Sequence, residues 1–83
     1  MRFDVLVETS LRPGVADPQG ATIERSLGSL GFDGFAGVRV GKAMRFTIEA
    51  PDHDDAVRRV TDVTERFLTN PVIEDATITV EPA

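Results

Sequence analysis

The sequence predicts an α+β domain: one antiparallel sheet with two helices on one of its faces. Three observations carry that prediction. Four short stretches alternate apolar and polar residues, as half-buried strands do. Two stretches between them repeat apolar residues at helical spacing behind an Asp suited to capping a helix. The chain has 83 residues, enough for one domain, so residues 1–83 are read as a single unit.

Residues 2–10 form the first strand, with Phe3, Val5 and Val7 on one face and Asp4, Leu6 and Glu8 on the other. Residues 11–17, with Pro13 and Gly14, are a connection. Asp17 caps the first helix, and Pro18 fits its first position because the missing N–H would be unpaired there. Ile23, Leu27 and Leu30 form the helix's apolar stripe, and Gly31 is its C-cap. Phe35–Val40 and Ala43–Ala50 read as a hairpin around Gly41-Lys42-Ala43. Parity favours this three-residue turn. It pairs Val40 with Met44 and Val38 with Phe46 on the core face, and it sets Arg39 opposite Arg45 on the outer face. Asp52 caps the second helix, and Asp54 and Asp55 favour its dipole. Ala56, Val57, Val60, Val63, Phe67 and Leu68 form its apolar face, and Asn70-Pro71 stops it. Residues 72–81 are the last strand. The order β-α-β-β-α-β is that of the ferredoxin-like fold, whose usual strand order is 4-1-3-2.

Composition narrows the function. The net charge is −5, and nucleic-acid binding needs a basic footprint, so no nucleic-acid partner is expected. With no cysteine there is no disulfide, thiolate nucleophile or cysteine-based metal site. No secretory signal or membrane-length apolar run is visible, so no membrane partner and a cytoplasmic location are expected. A domain this small buries only about 60–65% of its unfolded surface, so a partner subunit would add useful burial.

Few residues point to chemistry. His53 is the only histidine and has no nucleophile or second His near it in sequence; it reads as an exposed polar residue. Asp52, Asp54 and Asp55 lack the spacing of a calcium loop and read as helix-start residues. Gly28, Gly31, Gly34 and Gly37 follow a helix and precede a strand, the reverse of a phosphate-binding loop. No catalytic residue, cofactor site or metal site is assigned. The outer sheet face and the Gly41-Lys42 tip with Arg39 are candidates for meeting a partner.

Three motifs are more specific: Asp17-Pro18-Gln19-Gly20, Val38-Arg39-Val40-Gly41-Lys42 and Asn70-Pro71-Val72-Ile73-Glu74-Asp75. In this order and spacing, with Ser29-Leu30-Gly31-Phe32 between the first two, the chain resembles the small PurS subunit of bacterial phosphoribosylformylglycinamidine synthase over nearly its whole length. The resemblance implies a subunit without an active site of its own in an ATP-dependent C–N ligase of de novo purine biosynthesis. It implies two larger partners, a glutaminase subunit that releases ammonia and a synthetase subunit that uses ATP and Mg²⁺, with this chain bridging them and supporting ammonia transfer. It further implies a homodimer, sometimes paired into a tetramer. Partner contacts are then expected at Pro18 and Gln19, at Arg39, Gly41 and Lys42, and at Asn70, Pro71 and Glu74. The alternative is an ACT-like small-molecule-sensing domain, which shares the element order.

Overall fold

A computed structural model describes all 83 residues. Its elements are β1 (Arg2–Leu11), α1 (Pro18–Ser29), β2 (Gly41–Glu49), α2 (His53–Val63) with a π-helical turn Thr64–Leu68 continuing it, and β3 (Glu74–Pro82). The strands form one antiparallel sheet in the order β2-β1-β3. The predicted class holds: an α+β chain with an antiparallel sheet, two helices and the first strand in the middle.

The core lies on the side of the sheet where the alternation places it. Phe3, Val5, Val7 and Thr9 are buried along β1. Phe3 packs with Ala50 and Ala56, and Val5 and Val7 with Val60. Met44, Phe46 and Ile48 of β2 and Ile78 and Val80 of β3 flank them, half-buried. Asp52 caps α2 as predicted, its carboxylate accepting from Asp55 N–H at 2.8 Å. His53 is exposed, as read from the sequence, and its Nε2 lies 3.0 Å from the Val80 carbonyl while its ring meets Phe3 edge-on.

Residues 35–40 depart from the prediction. They form no strand, and the Gly41-Lys42-Ala43 hairpin does not exist. Gly41 instead opens β2, paired with Ser10 of β1. A turn there would forfeit the pairs Ser10–Gly41, Thr9–Lys42 and Glu8–Ala43. Glycine serves close approach at this position, because a Cβ on Gly41 would collide with the Thr9 carbonyl. Arg39 therefore never faces Arg45, which lies beside Leu6 on the outer face.

The helices depart from it in two respects. The α1 stripe is not buried: Ile23 is 40% and Leu30 72% exposed, and only Gly20 of the helix is buried. Gly31 caps α1 as predicted, with its N–H on the Gly28 carbonyl and Phe32 N–H on the Leu27 carbonyl, the paired bonds of a Schellman motif. At the end of α2, the π turn adds a residue to one helical repeat. Thr64 and Leu68 face inward, and Phe67, predicted for the core, is 81% exposed.

With α1 off the sheet, the chain is long and thin. It measures 52 × 27 × 14 Å, with a radius of gyration of 16.5 Å; a compact chain of this length has about 12 Å. α1 and residues 33–40 make an arm beyond the end of the sheet.

Candidate functional site

The three motifs meet at the base of that arm. Asp17 works twice. One carboxylate oxygen accepts from Gly20 N–H at 2.9 Å, capping α1; the other accepts from Val40 N–H at 2.8 Å, tying α1 to the lead into β2. Glu24, one helical level on, accepts from Val38 N–H at 2.9 Å. Gly20 lets the segments approach, since a Cβ there would strike the Val38 carbonyl. Both backbone bonds, with lesser help from the Arg39 charge, hold the Asp17 carboxyl below the ordinary carboxylate range.

Arg39 is not on the sheet face. Its guanidinium donates to the carbonyls of Leu11, Arg12 and Val15 at 3.4, 3.2 and 3.0 Å. It pins the β1–α1 connection to the arm.

The third motif folds as a turn closed by its own side chains. The Asn70 carbonyl accepts from Ile73 and Glu74 N–H, and its Oδ1 accepts from Val72 N–H at 3.1 Å. Glu74 returns the favour, its Oε1 accepting from Asn70 N–H at 2.8 Å. Glu74 Oε2 lies 3.6 Å from Lys42 Nζ, and the Glu74 side chain is only 12% exposed. The Asn70 bond first, and then the Lys42 charge, lower the Glu74 pKa against the opposing effect of burial. The buried Thr9 hydroxyl lies beside this carboxylate without a well-formed hydrogen bond to it. Arg12 joins from the other side, its N–H donating to the Ile73 carbonyl and its Nε lying 3.3 Å from Asp75.

Five of the eight predicted contact residues, Pro18, Gln19, Gly41, Lys42 and Glu74, line one shallow pocket. Asn70 joins them through Glu74. Pro71 lies on an adjoining recess with Arg12 and Thr64, and Arg39 faces the β1–α1 connection. Sequence reasoning missed Thr9, Arg12, Glu24 and the second role of Asp17. A capping Asp leaves one oxygen free, and only the fold shows which N–H takes it. The charged groups here answer one another: Lys42 meets Glu74, and Asp17 and Glu24 meet backbone donors. The arrangement builds a defined, charge-balanced surface from three loops. No helix in the chain is long and apolar enough to cross a membrane.

Known proteins share this arrangement of sequence and fold. Residues 4–82 match a family model described as PurS, phosphoribosylformylglycinamidine (FGAM) synthase. The chain is similar to the phosphoribosylformylglycinamidine synthase subunit PurS of Bacillus subtilis, 40% identical over 79 residues, which cover 95% of this chain and 93% of that one. In the structure of PurLQS from Thermotoga maritima, one chain matches with a TM-score of 0.90 at 30% identity, over 96% of this chain and 98% of that one. Methanocaldococcus jannaschii PurS, described as one of the subunits of formylglycinamide ribonucleotide amidotransferase in the purine biosynthetic pathway, matches with a TM-score of 0.87 at 32% identity, over 98% of both chains.

Proposed function

The chain belongs to the PurS family of FGAM synthase subunits, and from that premise we propose that it is the non-catalytic assembly subunit of the complex, bridging the glutaminase and synthetase subunits. The observation that carries this reading is the convergence of the three motifs on one preorganised loop surface, with Lys42, Glu74, Asp17 and Arg39 already committed to structural partners. Groups held this way shape a surface for another protein, and their charges are too well answered for a reacting role. The chain works as a homodimer, or as a pair of homodimers, in the cytoplasm. It helps ammonia pass from the glutaminase to the synthetase. ATP and Mg²⁺ belong to the large partner, and this chain holds no cofactor.

The test is reconstitution. Glutamine-dependent amidine formation is measured with the two larger subunits, with and without this chain, and association is followed by sedimentation. Activity and a stable three-component complex should both require the chain. Equal glutamine-dependent activity in its absence would remove the assembly role.

A further inference from the structure

The alternation that buries Phe3, Val5 and Val7 on the helix side turns every second residue of the sheet the other way. On that outer face β1 carries Arg2, Asp4, Leu6 and Glu8. In register, β2 adds Arg45 beside Leu6 and Glu49 beside Arg2. β3 adds Glu81 beside Asp4, and Asp75 at its other end. All of these residues but Leu6 are exposed. The face thus holds two arginines against five carboxylates, a balance of −3 within a chain of net charge −5.

Not all of these carboxylates are answered. Glu49 lies 3.7 Å from the Met1 ammonium, and Asp75 lies 3.3 Å from Arg12 Nε. Asp4, Glu8 and Glu81 enter no ion pair within the chain. Asp4 and Glu81 moreover stand directly opposite each other across β1 and β3, where like charges are unfavourable. No cation of the chain bridges them, so one from outside would relieve the repulsion. A shallow recess of about 540 Å³ opens over the pair, lined also by Leu6, Arg45, Thr47 and Thr79. A second recess, walled by Glu8, Gly41, Lys42 and Thr77, continues the face toward the surface built by the three motifs.

We propose that this face docks a basic surface of one of the two larger subunits, which presents arginine or lysine to the Asp4–Glu81 pair and to Glu8. This rests on the assembly reading above and says where, and by what chemistry, the contact is made. Charge selects the occupant. A second copy of the face would bring five carboxylates against five, and a nucleic acid or an anionic lipid surface would be repelled likewise. Leu6 is the only large apolar side chain that the three strands turn to this side, too little for an apolar segment to lie on. Arg45 stands opposite Leu6, between Glu8 and the Asp4–Glu81 pair. It confines the partner's cations to two places and so fixes the register of docking.

Asp4→Asn, Glu8→Gln and Glu81→Gln combined in the full chain test this. Asp54→Asn, Asp62→Asn and Glu65→Gln, on α2 and its π turn across the sheet, make a control with the same change of charge. Binding to each larger subunit alone, and to both together, is followed by sedimentation at about 50 and about 500 mM salt. At low salt the outer-face variant should need about tenfold more chain for half-saturation, the effect of three exposed charge pairs. It should also lose most of the parent's salt dependence. Its melting temperature should not fall, because the Asp4–Glu81 repulsion is gone. Thr79→Arg adds a cation beside Leu6 and should weaken binding likewise, while the control should bind as the parent does. If either the outer-face variant or Thr79→Arg binds like the parent, the docking face is overturned and the assembly role stands. A control as weak as the outer-face variant overturns it too, since net charge alone would then act. Loss confined to self-association would make a second copy the occupant and overturn it equally. A parent that binds neither larger subunit removes the assembly role and the docking face together.

Discussion

Asp17 and Glu74 each hold two segments of chain together, and the consequence at the scale of single residues is a pH dependence with a definite sign. Both carboxyls titrate below their ordinary values in the folded chain, chiefly because backbone N–H groups bind the ionised form. A lowered folded pKa contributes stability that is fully present above the unfolded value, near 4. That contribution is lost as pH falls through the folded value. The melting temperature should therefore fall between about pH 5 and pH 3, and Asp17→Asn or Glu74→Gln should each flatten that fall while lowering stability at neutral pH. A parent and a variant with parallel profiles would mean that these carboxylates are not lowered by folding. Lys42 behaves differently. Its partner is one carboxylate and its own side chain is 64% exposed, a pair contributing about 0–1 kcal/mol to stability. Lys42→Ala should thus lower the melting temperature by no more than about 8 °C and still weaken assembly of the three-subunit complex, read in the reconstitution assay as at least a fivefold higher concentration of this chain for half-maximal activity.

Each element rests on few contacts, so single changes there have large effects. Phe3 is almost fully buried and joins Ala50, Ala56 and the His53 ring. Phe3→Ala should cost about 3–5 kcal/mol. At about 0.05–0.15 kcal/mol per residue a domain this size holds only about 4–12 kcal/mol in all, so the denaturant midpoint should drop by a quarter or more. Two glycines separate close approach from mere presence. A Cβ at Gly28 meets nothing within 4 Å, and Gly28→Ala in α1 should stabilise by up to about 1 kcal/mol. Gly41→Ala should destabilise, because its Cβ meets the Thr9 carbonyl and the β1–β2 ladder must part. The two shifts in melting temperature should have opposite signs. The same elements show what a sequence can disclose. β1, both Asp caps and the Gly31 cap were legible because alternation and capping are local. Residues 35–40 carry a true strand pattern, Val38 and Val40 flanking Arg39, but a pattern does not name the strand it pairs with, and β1 takes the place the hairpin would need. The Ile23, Leu27 and Leu30 stripe likewise announces an apolar face without saying that the chain's own sheet leaves it open. Phe67 was misplaced because a π turn shifts the helical repeat by one residue and leaves no mark in periodicity. At the site, the motifs were legible as contact candidates, whereas the bonds of Asp17 to Val40 and Glu74 to Asn70 depend on folded proximity.

The whole molecule is an unusually thin object, with nine buried residues and an arm that carries apolar surface away from its own sheet. The proposed homodimer would tie stability to concentration. Its melting temperature should rise by several degrees as protein is raised a hundredfold, because each tenfold step adds about 1.4 kcal/mol per dimer formed. Scanning calorimetry across that range checks this; a constant melting temperature would mark the monomer as the folding unit. The strand order carries a further consequence, one of timing. β1 sits in the middle of the sheet, while one of its two neighbours, β3, is drawn from the far end of the sequence, with Phe3 beside Pro82. β1 thus waits for β3 before both of its edges are satisfied. Contacts this distant in sequence slow folding, and until synthesis reaches residue 82 the nascent chain must hold its most apolar strand in solution with one side open. A chain cut short before β3 would therefore leave that edge of β1 open to whatever strand it met first.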